Sequence, residues 1–472
     1  MNNKSKGKTL MSSLKLIARA MAILMLCTVA LQAAEPVSSP SPRAFYEWAA
    51  TPPMGWNSWD AYGPTVTEAE VRANADYMAA HLKEYGWRYV VVDIRWYVTN
   101  PSAHGYNQTN PDYVLDEYGR LLPAVNRFPS AKDGRGFKPL ADYIHSQGLK
   151  FGIHVMRGVP VAAVERKTPI LGSTATAADI YSKDMQCRWL RDMYTIVAGR
   201  PGAQEYYDSI LRLYASWGVD YIKVDDLSHP YHASEIEMIR RAIDACGRPI
   251  VLSLSPGDTP IGDAEHVMTH ANLWRISADF WDRWQDIEAQ FALCSMWSPY
   301  VGPGHWPDAD MLPLGRIGIR AERGDNRMTR LTHAEQITLM TLWAIFRSPL
   351  MFGGDLPSND EFTLALLTNR EVLSVNQHST GNRQLFNRGG SIAWVASVPD
   401  SGDRYLALFN TNSAGPGGAA GEEISVPLDE LGLTGSIGVQ DLWQHETLGN
   451  CSGTFSTRIP PHGAGLYRLT PR

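Results

Sequence analysis

The sequence predicts an α/β chain built as a (β/α)8 TIM barrel followed by a small C-terminal antiparallel β-sandwich domain. Three observations lead there. Between residues 51 and 378, short β-branched or aromatic runs alternate with longer helical stretches, giving eight units. The apolar runs are continuous, as strands of a parallel sheet buried on both faces must be. After residue 378 the helical stretches give way to short strand-like runs between Gly, Asn, Ser and Pro clusters. A length of 472 residues is too great for one small core and agrees with two domains.

The chain opens on Lys4, Lys6, Lys8, Lys15 and Arg19, ahead of an apolar run from Ala20 to Leu31 and the small residues Ala33 and Ala34. This is the pattern of a cleaved export signal over residues 1–34, with a linker over 35–50. The apolar run is too short for a permanent membrane span. A secreted or periplasmic protein is expected, free of the membrane once the signal is removed.

The barrel units follow in order. The first strand is Met54–Asn57, and the clearest is Arg88–Asp93, after a helical pattern from Glu68 to Lys83. A long Asn-, Pro-, Tyr- and Asp-rich insertion between Trp96 and Gly136 stands where barrel active-site loops belong. Next come Lys150–Val155, Val219–Val224, Pro249–Ser253, Leu273–Ile276, a strand near His305, and Pro349–Phe352. An open doubly wound sheet would need a Gly-rich turn after its first strand, which is lacking. Residues 379–472 hold Gln384–Phe386, Ile392–Ala396, Tyr405–Phe409 and Gly465–Leu469 as strands of the second domain.

Composition narrows the function. A net charge of -6 provides no basic footprint, so no nucleic-acid partner is expected. Fifteen Trp and twenty Tyr suit a carbohydrate substrate, whose apolar faces stack on flat rings, and equally suit a large core. With Cys27 in the signal, Cys187, Cys246, Cys294 and Cys451 remain, open to disulfides or to buried free thiols. They form no metal pattern, and no cofactor or metal is expected. Nothing in the sequence specifies the oligomeric state.

In a barrel the working residues stand at the C-terminal ends of the strands. Those positions read Trp56, Asp93, His154, Asp225 with Asp226, Ser255, Arg275 with Asp279, and Asp308 with Asp310. An Asp after a strand is often a helix N-cap, a role open to Asp226 or Asp282. Asp225 differs, because Lys223 lies two residues earlier on the same side of the strand and keeps the carboxylate ionised. Glycoside cleavage needs such a carboxylate and a second carboxyl group that donates a proton. Asp279, two strands further round, is the candidate. A separation of about 5–5.5 Å between the two predicts retention of configuration, and about 6.5–9.5 Å predicts inversion.

Four segments carry a resemblance: Gly55-Trp-Asn-Ser-Trp59, Tyr221-Ile-Lys-Val-Asp-Asp226, Trp274-Arg-Ile-Ser-Ala-Asp279 and Trp306-Pro-Asp-Ala-Asp-Met311. In this order they resemble glycoside hydrolase family 27, which contains α-galactosidases and α-N-acetylgalactosaminidases. The resemblance implies a retaining double displacement, with Asp225 as nucleophile and Asp279 as acid/base. It also implies sugar contacts from Trp56, Asp93, Lys223, Arg275 and Asp310. Four positions depart from the family pattern. Ile94 follows Asp93 where a second Asp is usual, His154 replaces a Tyr, Ser255 replaces a Glu, and Asp226-Leu227 stand where a bridging Cys is common. His154, Arg157, Ser255 and His229 are then pocket candidates of this branch. Release of terminal α-D-galactose is the expected activity. The alternatives are a β-L-arabinopyranoside, α-N-acetylgalactosaminide or α-glucan target, or a carbohydrate-binding protein without catalysis.

Overall fold

Eight parallel strands run β1 (Met54–Asn57), β2 (Tyr89–Val92), β3 (Lys150–Met156), β4 (Tyr221–Asp225), β5 (Val251–Leu254), β6 (Leu273–Arg275), β7 (Trp306–Asp308) and β8 (Leu350–Phe352). Each pairs with its sequence neighbour from β1 to β7, and β8 pairs back on β1 with Met54 opposite Leu350. The remaining seam is bridged just beyond β7, where Leu312 pairs with Phe352. The computed structural model describes residues 43–414 and 421–472, so the expected signal over 1–34 lies outside the described residues. Among those described, no helix is long and apolar enough to cross a membrane.

Period-2 alternation divides each strand between two cores. Tyr89, Val91, Tyr221, Val251, Leu273 and Trp306 fill the barrel interior, while Val90, Val92, Ile222 and Val224 face the surrounding helices. Those helices include α1 (Glu68–His81), α2 (Lys138–Ser146), α3 (Ala203–Ser216), α4 (Ala233–Ala245), α5 (Ala264–Met268), α6 (Trp284–Trp297) and α7 (His333–Phe346). Two more, α8 (Glu361–Thr368) and α9 (Arg370–His378), follow β8. Thr67 and Glu70 form a capping box that starts α1, satisfying backbone N–H groups the helix leaves free.

Residues 44–49 do not behave as a linker. They form a 3-10 turn in which Phe45, Tyr46 and Ala49 are buried. The Tyr46 hydroxyl donates to the Met268 carbonyl at 2.9 Å, and the Trp306 indole N–H donates to Ala49 O at 2.7 Å. The aromatic content of Phe45-Tyr-Glu-Trp48 explains the difference, since such a run stabilises a contact rather than a free tether.

The second domain holds β9 (Thr380–Arg388), β10 (Ser391–Ser397), β11 (Arg404–Asn410), β12 (Glu422–Pro427), β13 (Ile437–Asp441), β14 (Glu446–Cys451), β15 (Thr454–Ile459) and β16 (Ala464–Pro471). Six form one antiparallel sheet in the order β9-β10-β11-β16-β13-β14, and β12 pairs with β15. Both faces of the large sheet are covered. Ala393, Val395, Leu406 and Leu408 pack towards β12 and β15, while Ile392, Trp394, Ala407 and Phe409 join the barrel's core. Helix α7 lies beneath that inner face, with eleven of its fourteen residues buried, including the run Leu339–Phe346.

Two insertions build the rim above the strands. Residues 97–136 follow β2, and Arg127 ties them down by donating to the carbonyls of Arg95, Val98, Pro64 and Val66. A second insertion follows β3 and carries three short strands at Val159–Pro160, Tyr181–Ser182 and Met193–Ile196. Buried Asp192 joins the two insertions. It accepts two hydrogen bonds from Arg95 at 2.9 and 2.6 Å and one each from the Tyr97 and Tyr113 hydroxyls at 2.8 and 2.6 Å.

Candidate active site

The loops at the C-terminal ends of the strands enclose a cleft of about 420 Å³. Lys223, Asp225, Arg275, Asp279 and Asp310 line it together with the rings of Trp59, Tyr106, Trp189 and Trp281. The strand pleat turns both Lys223 and Asp225 of β4 towards this space. Lys223 Nζ lies 3.0 Å from Asp93 Oδ2 and 3.9 Å from Asp225 Oδ1. Asp93 is fully buried, and its Oδ2 also accepts from Asn57 Nδ2 at 2.7 Å. This carboxylate orients the lysine that stands beside Asp225.

Asp225 is gripped from both neighbouring strands. His154 Nε2 on β3 stands 2.8 Å from Asp225 Oδ2. From the other side the Ser255 hydroxyl, just after β5, donates to Asp225 Oδ1. Burial pushes the Asp225 carboxyl up, but Lys223, His154 and Ser255 together outweigh it and hold the group below the usual carboxylate range. For Lys223, burial acts downward and the Asp225 and Asp93 charges win, keeping the ammonium protonated. The result is a fixed anion beside a fixed cation.

Asp279 is different in kind. Its side chain is 44% exposed at the end of the loop after β6, within 3.5 Å of Arg275 Nη2. Arg275 shapes that loop by donating to the carbonyls of Ser277 and Ala278 at 3.3 and 2.7 Å. The same guanidinium meets Asp310 Oδ2 at 2.6 Å, and Asp310 in turn accepts from Phe280 N–H at 2.7 Å. Burial, then the Asp279 and Asp308 charges, raise the Asp310 carboxyl to about 7 against the pull of Arg275. The cleft thus pairs one buried, locked carboxylate with one exposed carboxyl group.

A family model described as Alpha galactosidase A matches residues 51–165 and 162–378, and one described as the alpha galactosidase C-terminal beta sandwich domain matches 388–469. The chain belongs to glycoside hydrolase family 27. It is a glycosidase. Among solved structures of the family, a β-L-arabinopyranosidase from Geobacillus stearothermophilus is 51% identical, with a TM-score of 0.88. That alignment covers 91% of this chain and 99% of the other. An Asp-to-Ala variant of the same enzyme in complex with arabinose superposes with a TM-score of 0.89 at 51% identity, covering 92% of this chain and 100% of the variant. Alpha-galactosidase 3 of Arabidopsis thaliana is 30% identical over 90% of this chain and 83% of its own length.

The family resemblance and the geometry diverge at several residues. Asp225, Lys223, Arg275, Asp279 and Asp310 meet in the cleft, and Asp93 supports them from behind. Trp56 does not reach the cleft; it is fully buried and donates its indole N–H to Gly354 O at 2.7 Å. Trp59, at the other end of the same motif, lines the cleft instead. Strand β1 runs through Asn57, so Trp56 stays within the strand and the cleft wall begins with Trp59. His154 and Ser255 grip Asp225 rather than line the space, and His229 makes a surface contact with Asp258 at 3.8 Å. Neither Asp226 nor Asp282 caps a helix; Asp226 pairs with Arg157 and Asp282 with Arg327. Among the described residues the cysteines are free thiols.

Reading by strand ends missed the aromatic rim and Asp60. Trp59 stacks on Tyr106 with centroids 5.9 Å apart, and Tyr106 meets Trp189 at 5.9 Å. Tyr106 and Trp189 come from the two insertions that Asp192 joins. Asp60 lines the cleft with a buried Oδ2 that has no partner, and burial, then Asp310, push its carboxyl well above the usual range.

Arg157 acts as a clamp on the turn that carries Asp225. Its backbone N–H donates to Asp225 O at 3.1 Å, and its Nε donates to Asp226 O at 2.6 Å. The guanidinium also pairs with Asp226 and Glu235, each at 2.8 Å, and all three side chains are buried. Asp226 itself sits at φ 67°, in the left-handed region that few residues other than glycine, Asn and Asp adopt. Arg157→Met would strand two buried carboxylates, a change that costs about 3–5 kcal/mol. Urea unfolding should show that loss, and Arg157→Met combined with Glu235→Gln should recover part of it. An unchanged unfolding midpoint would remove the clamp.

Proposed function

We propose that this enzyme is a retaining exo-glycosidase that uses Asp225 as nucleophile and Asp279 as acid/base. Asp225 attacks the anomeric carbon while Asp279 donates a proton to the departing oxygen. A glycosyl ester on Asp225 results. Asp279, now a base, takes a proton from water, which attacks the same carbon and releases the sugar with its configuration retained. The burial and fixed partners of Asp225 suit a nucleophile, and the exposure of Asp279 suits a group that must meet both leaving group and water.

The sugar we propose is a terminal residue with the ring configuration of α-D-galactose, and preferably its pentose counterpart, a β-L-arabinopyranoside. The two differ in one exocyclic CH2OH group. The observation that carries the preference is Ile94, an apolar side chain directly after Asp93, where the family's α-galactosidases place a second carboxylate for O4 and O6. Ile94 is buried in the core and lies outside the residues lining the cleft, so this position offers no carboxylate. A hydroxymethyl group would then give up hydrogen bonds to water without a replacement. The 51% identity to a β-L-arabinopyranosidase supports the same choice. The nitrophenyl β-L-arabinopyranoside should therefore show a higher kcat/KM than the nitrophenyl α-D-galactopyranoside. Ile94→Asp should shift the ratio towards the galactoside by about 10- to 100-fold, the worth of one hydrogen bond to a charged group. A wild-type preference for the galactoside would make α-galactosidase the reading, and hydrolysis of neither would sink both. The basic and apolar pattern over 1–34 supports export, placing the enzyme in the periplasm or outside the cell.

A further inference from the structure

Among the described residues, one cluster away from the cleft offers ligand chemistry of its own. Glu237 on α4, His266 on α5 and His270 just beyond it each present one ligand atom, all within 4.8 Å of one another. None of the three lines the cleft. We infer that they form a binding site for a divalent transition metal of the zinc type, fastening α4 to α5.

Three features go beyond mere proximity. The spacing i, i+4 stacks the two imidazoles, with centroids 4.2 Å apart and planes at 23°. Their Nδ1 atoms are already engaged. His270 Nδ1 lies 2.7 Å from the His266 carbonyl, which can only accept, so that nitrogen carries the proton and Nε2 keeps its lone pair. His266 Nδ1 lies 2.7 Å from the Tyr231 hydroxyl. Metal-bound histidines are oriented in this way, through the ring nitrogen that does not touch the ion. Finally, His266 Nε2 and Glu237 Oε1 are 3.4 Å apart. Ligands on a zinc tetrahedron with bonds of about 2.0–2.1 Å are separated by about 3.3 Å. Two His and one Glu leave a fourth position to water.

The site would brace the machinery from outside. Helix α4 and Tyr231 follow the turn bearing Asp225, and α5 follows the segment bearing Ser255, which donates to Asp225. The ordinary alternative is a His266–Glu237 ion pair that binds nothing.

Calorimetric titration of the chelator-treated enzyme with ZnCl2 at neutral pH separates the two. The inference expects one zinc per chain, and at a hundredfold excess over Kd a rise in Tm of about 3 °C. Binding should vanish in the double variant His266→Gln with His270→Gln. All three ligand side chains are partly exposed, so the variant should keep its circular dichroism spectrum. Tyr231→Phe, should the double variant misfold, is expected to weaken zinc binding at least threefold. No binding by the wild type below about 100 µM zinc, or equal binding by the variants, overturns the site.

Discussion

Asp225→Ala should lower kcat on the order of 10⁴- to 10⁶-fold, the scale on which loss of an enzymic nucleophile is felt. The fold should survive. Lys223 keeps its contact with Asp93 at 3.0 Å, so the substitution strands no buried cation. His154 loses its carboxylate partner. Sugar binding should persist, and calorimetry with the free sugar should show it. Azide, small enough to enter the space left by the carboxylate, should restore part of the activity and yield a glycosyl azide of inverted configuration. A variant that turned over substrate normally, or whose azide product kept the starting configuration, would take the nucleophile's role away from Asp225.

Asp279→Ala should separate substrates by their leaving groups. General acid catalysis contributes about 10²- to 10⁴-fold, and only where the departing oxygen needs a proton. A methyl glycoside should lose that full factor, whereas a nitrophenyl glycoside should be attacked at nearly the wild-type rate. Its second step lacks a base, so a burst of nitrophenol should precede a slow steady state. Mass spectrometry should find the sugar ester on Asp225 during that phase. Because the Asp279 side chain is 44% exposed and its partner Arg275 keeps Asp310 at 2.6 Å, Tm should hardly move. Equal losses on both substrates without a burst would assign the proton to another group, with Asp60 the next to test.

The barrel was legible because its strands are uninterrupted apolar runs and its helices end on Gly or polar residues. Tyr89–Val92 and Tyr221–Asp225 could be placed within a residue or two for that reason. The charged core of the site was legible from the period of the strand, which puts Lys223 and Asp225 on one side. Other parts carry no such signal. The strands at Tyr181–Ser182 and Val159–Pro160 are two residues long, too short for any periodicity. Every residue from Glu446 to Asn450 in β14 is exposed, so no alternation marks that strand. Tyr106 and Trp189 enter the cleft only because Asp192 draws distant loops together, a contact between residues 95 and 192 that no local pattern encodes. Trp56 and Trp59 could be told apart only by where β1 ends.

The two-sided burial of the large C-terminal sheet sets a timetable for folding. Strand β11 pairs with β16, so Leu406 meets Tyr467, sixty-one positions later in the chain. Until the ribosome releases that final strand, the apolar flank over α7 has no lid and the sheet has an open edge. Chaperone retention is expected to last through residue 469, and a chain stopped near residue 380 should aggregate rather than yield a working barrel.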